Sequence, residues 1–111
     1  MYFTYGPGGG GTLASTEPHE TVTAARNYPN PFNAGTVISF SLAETAPVSV
    51  DVYDVLGRHI TTLASELFDA GDHEVSWDGR NDSGESVATG IYFYRVSAPS
   101  GSTVRKMMLM K

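Results

Sequence analysis

The sequence predicts an all-β protein, a sandwich of two antiparallel sheets packed face to face. Three observations carry that expectation. Short runs alternate apolar and polar side chains with a period of two. Turn-forming residues recur about every 8–12 positions. Helical periodicity is almost absent: only 61–68 has room for a short helix. At 111 residues the chain is the size of one domain.

Taken in order, residues 1–26 read as a tail or linker. Gly6-Pro7-Gly8-Gly9-Gly10-Gly11 is flexible, and the apolar residues Tyr2, Phe3, Tyr5, Leu13 and Val22 are too sparse for a core. The domain is expected over 27–111. Asn27-Tyr28-Pro29-Asn30-Pro31-Phe32-Asn33 opens it as a stiff, non-helical segment, because two prolines fix their own φ and restrict the residues before them. In 36–42, Ile38, Phe40 and Leu42 alternate with polar or smaller neighbours. In 48–54, Val48, Val50 and Val52 do the same. Asp54-Val55-Leu56-Gly57 turns the chain, and 58–63 reads as a further short strand. His73, Val75 and Trp77 alternate with Glu74 and Ser76. Residues 91–98 and 103–110 form the last two strands, joined by Pro99-Ser100-Gly101-Ser102. Trp77 is expected to anchor the core, with Phe40, Val50, Val52, Ile60 and Tyr92 or Tyr94 around it.

Composition excludes several function classes. With no cysteine there is no disulfide scaffold, thiolate metal site or cysteine nucleophile. No apolar run is long enough to span a membrane, and the first residues do not read as a secretory signal. A net charge of −5 argues against nucleic acid as a partner. The charge is also uneven: residues 1–26 carry −1, 27–85 carry −8 and 86–111 carry +4. An acidic body with a basic end favours docking to a protein partner.

No catalytic constellation emerges, so the chain reads as a non-enzyme without a cofactor or a small-molecule substrate. His19, His59 and His73 are scattered, no serine sits in a nucleophile elbow, and Gly8–Gly11 lacks the lysine of a phosphate loop. Asp78, Asn81 and Asp82 are weak candidates for calcium, but Asx turns account for the same residues, and the spacing is not that of a calcium loop. Asn81-Asp82-Ser83 also matches a glycosylation sequon by chance. Tyr53, Tyr92, Phe93 and Tyr94 raise the idea of a sugar platform, against the usual role of strand aromatics in cores and cross-strand pairs. The final stretch, Val104-Arg105-Lys106-Met107-Met108-Leu109-Met110-Lys111, stands out. Basic residues on a last strand discourage random edge pairing and leave a charge-steered pairing open.

Six of these segments, in order, resemble the type A C-terminal sorting domain of type IX secretion cargo, itself similar to the Ig-like domain of the flagellar hook-capping protein. The segments are Asn27–Asn33, Thr36–Leu42, Val52–Arg58, Gly71–Arg80, Gly90–Arg95, and the closing Lys106 and Lys111; Ala34 stands where the family has a proline. The resemblance implies an Ig-like sandwich of about seven strands. It implies an exported domain, at the cell surface or beyond, that addresses cargo to outer-membrane machinery and does not insert into the membrane. Arg105, Lys106 and Lys111 are then the expected recognition residues. Pro29, Pro31, Gly57, Trp77, Gly90 and Tyr92 are the expected structural ones, with the two prolines fixing the linker junction. The rival expectation is a self-assembling extracellular subunit of a filament or appendage. There the basic end of one copy meets the acidic body of the next.

Overall fold

The computed structural model describes residues 21–111. The glycine-rich part of the expected tail lies outside the described residues. Seven strands follow in order: β1 Val22–Tyr28, β2 Thr36–Leu42, β3 Ala46–Asp54, β4 His59–Phe68, β5 Gly71–Trp77, β6 Gly90–Ala98 and β7 Gly101–Leu109. They form two antiparallel sheets, ordered β1-β2-β5 and β4-β3-β6-β7. This is the Ig-like sandwich, with the chain crossing between sheets after β2, β4 and β5.

Alternation explains most of the strands. Ile38, Phe40 and Leu42 from β2 meet Val48, Val50 and Val52 from β3 and Tyr92, Tyr94 and Val96 from β6. Trp77 is buried at their centre, with Phe32 and Tyr92 edge-on to its ring at centroid distances of 5.6 and 5.3 Å. Its indole N–H donates to the carbonyl of Arg80 at 2.9 Å, so its polar atom is satisfied despite burial. Ile60 packs against the core only in part.

One boundary is corrected, and the one stretch with room for a helix is a strand. The domain begins before Asn27: β1 starts at Val22, and Val22 and Ala25 are core residues. A register shift between Val22 and Ala24 separates these two by three positions instead of two, which hides the strand from a period-two pattern. Residues 61–68 are not helical but belong to β4. Register shifts against β3 occur between Val50 and Asp51 and between Val52 and Tyr53, so β4 never alternates cleanly. Its first half falls in the short strand expected over 58–63, while its second half shows no period-two pattern.

The two ends of the sandwich differ. At one, Thr21 is fixed beside the β6–β7 turn: its hydroxyl meets Ser100 Oγ at 2.7 Å and its carbonyl accepts from Ala43 N–H. At the other lie the β3–β4 turn, the 78–89 loop, the proline segment and the C-terminus.

Candidate functional site: the last strand and its clasp

Among the described residues β7 is the edge of the four-stranded sheet; β6 is its one strand neighbour, and Phe32 forms an isolated bridge with Leu109. Backbone groups alternate in direction along a strand, so those of Ser102, Val104, Lys106 and Met108 point away from β6. The second half of this edge is sealed by the proline segment. Asn30 Oδ1 accepts from Met108 N–H at 3.0 Å and Asn30 Nδ2 donates to the Lys106 carbonyl at 3.4 Å. Phe32 N–H donates to the Met108 carbonyl at 3.0 Å, and the Phe32 carbonyl accepts from Met110 N–H at 2.8 Å. The first half, Ser102 and Val104, has no backbone partner among the described residues.

The proline segment is therefore a clasp between the sheets. Tyr28–Pro29 and Asn30–Pro31 are cis peptide bonds. The Pro29 carbonyl accepts from Thr36 Oγ1 at 2.8 Å, which ties the segment to β2, while Asn30 and Phe32 tie it to β7. Pro29 and Pro31 lie within this clasp; a linker junction would lie outside the packed sheets. Asn30 and Phe32 are the residues that sequence reasoning passed over. Phe32 was legible as an apolar residue in a rigid segment, but nothing in its neighbours says that it reaches the core.

The three cations do not converge. Arg105 lies opposite Tyr94 on the face turned toward the other sheet, and its exposed end reaches a groove shared with Arg26 and Thr23. Lys106 lies opposite Phe93 on the outer face. Lys111 is held at the end of the sandwich, its ammonium donating to Ser86 Oγ and its backbone N–H to Thr89 Oγ1 at 3.2 Å. Burial pushes the Tyr94 hydroxyl above its ordinary pKa, with Arg105 pulling the other way.

Among the structural residues, Tyr92 forms a tyrosine corner. Near the start of β6, its hydroxyl donates back to the Ala88 carbonyl at 2.6 Å. Burial, then the Asp54 carboxylate, raises its pKa. Gly57 has φ 81°, which the tight turn requires. Around it Asp54 Oδ1 accepts from the N–H groups of Leu56 and Arg58, both at 2.9 Å, and Asp54 Oδ2 takes Arg58 Nε at 2.8 Å. Gly90 has φ 159°, and a Cβ there would meet nothing within 4 Å. L side chains rarely adopt that φ, so a substitution there is strained even though the space is open.

Asp78, Asn81 and Asp82 point to separate partners. Asp78 faces the backbone and side chain of Arg80. Asn81 Oδ1 accepts from Ser83 and Glu85 N–H, both at 3.0 Å, as an Asx turn does. Asp82 approaches His59 Nδ1 at 3.8 Å. The four aromatics divide as well: Tyr92 and Tyr94 are core residues, while Tyr53 and Phe93 are paired on the outer face. The alternation missed one polar cluster. Asp51, 8% exposed, accepts hydrogen bonds from Thr62 at 2.6 Å and Ser49 at 2.9 Å and lies 3.3 Å from His59 Nε2. Burial raises its pKa, but these hydrogen bonds and the His59 charge outweigh it and hold the carboxyl below the usual range.

Three comparisons bear on this arrangement. The family model of the FlgD Ig-like domain matches residues 26–102. None of the curated proteins compared with the chain matches it. Among solved structures, dimeric latent PorU from Porphyromonas gingivalis superposes on 78% of this chain with TM-score 0.64 and 23% identity. PorZ from the same organism, described as an essential bacterial surface component of the type-IX secretion system, superposes on 79% with TM-score 0.55 and 24% identity. The chain spans 9% of the PorU chain and 12% of the PorZ chain, so the likeness is to one domain of each.

Proposed function

Because this chain belongs to the FlgD Ig-like domain family, we propose that it is a non-enzymatic sorting or anchoring domain, exported and read by the outer-membrane type IX secretion machinery. The observation that carries the reading is the half-open edge of β7. Ser102 and Val104 offer backbone groups that are unpaired among the described residues, and Arg105 and Lys106 follow directly on opposite faces. An acidic receptor strand would gain main-chain hydrogen bonds and charge steering from one short segment. The likeness of the fold to part of PorZ, described as a surface component of the type-IX secretion system, supports the assignment to this machinery.

The test fuses the full chain behind a secreted reporter in a type IX-competent host. Arg105→Glu with Lys106→Glu should leave the reporter in the periplasm while the purified domain melts as before. Undiminished export of a folded double variant refutes the proposal. Deleting residues 103–111 is the poorer test, since it also removes Met107 and Leu109 from the core.

Self-assembly is a second reading, favoured by strand direction. The outer strands β4 and β7 run antiparallel to each other, so a copy displaced along the sheet would continue it without reversal. Such a heterologous contact builds filaments when it does not close. Sedimentation velocity across a hundredfold concentration range checks it: a constant monomer coefficient removes this reading.

A further inference from the structure

We propose that the outer face of the four-stranded sheet, beside the β3–β4 turn, is a docking groove for a short partner segment carrying aliphatic and acidic side chains. The inference stands whether or not the sorting reading holds. Tyr53, Asp54, Val55, Phe93, Arg95 and Val104 line a shallow, open groove of about 290 Å³. Val55 is 60% exposed, Leu56 73% and Val104 56%, an unusual concentration of aliphatic surface in water. The turn that carries Val55 and Leu56 is rigid, because Asp54 binds two of its N–H groups and Gly57 N–H donates to the Asp54 carbonyl. Two apolar side chains are thus held outward in a fixed position, and little ordering entropy is lost when they bind.

Charge decides the partner's chemistry. Arg95 lies with its Cζ 5.1 Å from the Tyr53 ring centroid and donates to the Tyr53 hydroxyl at 2.6 Å. Lys106 is the neighbour of Phe93 on the same face. Neither cation has a carboxylate in salt-bridge range among the described residues. Asp51, in register with Arg95, is taken up by Ser49, Thr62 and His59, and Asp54 by its own turn and Arg58. Two cations without a carboxylate partner among the described residues, Arg95 held on Tyr53 and Lys106 beside Phe93, border this apolar groove and complement carboxylates spaced around aliphatic side chains. A flat lipid surface would leave the groove unfilled.

The probe is the heptapeptide Glu-Leu-Glu-Val-Glu-Leu-Glu, titrated into isotope-labelled full-length protein and followed by amide chemical shifts. Two controls replace its acids by lysine or its aliphatics by serine. The expected result is saturable shifts at Val55, Leu56, Phe93, Arg95 and Val104 with the acidic aliphatic peptide alone. Leu56→Ser, at an exposed turn tip, should weaken binding at least about tenfold. Lys106→Glu should weaken the acidic peptide and strengthen the lysine one. Equal responses to all three peptides, shifts mapping elsewhere, or wild-type affinity in folded Leu56→Ser overturn the proposal. So does Leu56-dependent binding to phosphatidylcholine vesicles without peptide preference.

Discussion

Replacing Phe32 by alanine tests whether the proline segment is a clasp or a stiff linker. Phe32 is 2% exposed, and its ring packs edge-on against Trp77. Alanine keeps both backbone hydrogen bonds to Met108 and Met110, so the change isolates the side chain. A buried phenylalanine truncated to alanine costs about 3–5 kcal/mol, because a cavity remains where the ring was. A domain of this size has a total stability of about 5–15 kcal/mol. The loss is therefore about a fifth or more of the whole, and the melting point should fall on the order of 15 °C or more. Urea unfolding followed by the fluorescence of Trp77, the single tryptophan, reads the change as a lower midpoint at constant slope. Phe32→Leu, which keeps most of the volume, should cost under about 1.5 kcal/mol. A loss below about 1 kcal/mol in Phe32→Ala would show that the ring does not tie the segment to the core.

Tyr92→Phe should cost about 1–2 kcal/mol in the same assay, since the Ala88 carbonyl loses its donor while the ring stays in place. Gly57→Ala should cost about 1–2 kcal/mol, because φ 81° places a Cβ against the following carbonyl oxygen. Acid should destabilise the domain. The folded-state pKa of Asp51 lies below its unfolded value of about 3.9, so its stabilisation is present above that value and is lost as pH falls through the lower one. Asp54 is held low chiefly by the N–H of Arg58 and acts in the same direction. Melting points between pH 5 and pH 2 should therefore fall less steeply in Asp51→Asn than in the wild type.

The strands that sequence reasoning located are those whose faces are cleanly divided between core and water. Ile38, Phe40 and Leu42, or Val48, Val50 and Val52, place one side chain in two against the opposite sheet, and the period survives in the letters. β1 and β4 were obscured by irregular pairing, which inserts a residue and breaks the period that would reveal it. Asp54 and Gly57 were legible as a turn because their chemistry is local. The clasp was not, since Asn30 and Met108 are far apart in sequence and meet only once both sheets exist. For the same reason the contact of the Lys111 ammonium with Ser86 across the end of the sandwich was not legible, and Lys111 was expected only as a recognition residue.

Arg105 and Lys106 are adjacent in sequence, and both were expected to serve recognition. On a strand, neighbours face opposite ways, so one cation borders the small sheet and the other lies beside Phe93. A flat partner surface reaches only one of them. A partner that engages both must embrace the edge. Asn30 occupies the outward carbonyl of Lys106 and the N–H of Met108, so among the described residues it is the stretch through Ser102 and Val104 that remains for added backbone pairing. The two geometries differ in a double-mutant cycle. For an embracing strand, Arg105→Glu and Lys106→Glu each weaken binding, and their effects couple because losing one contact frays the short added strand. For a flat surface, one substitution is silent and the cycle shows no coupling. That outcome would move the recognition surface off the edge and onto a single face.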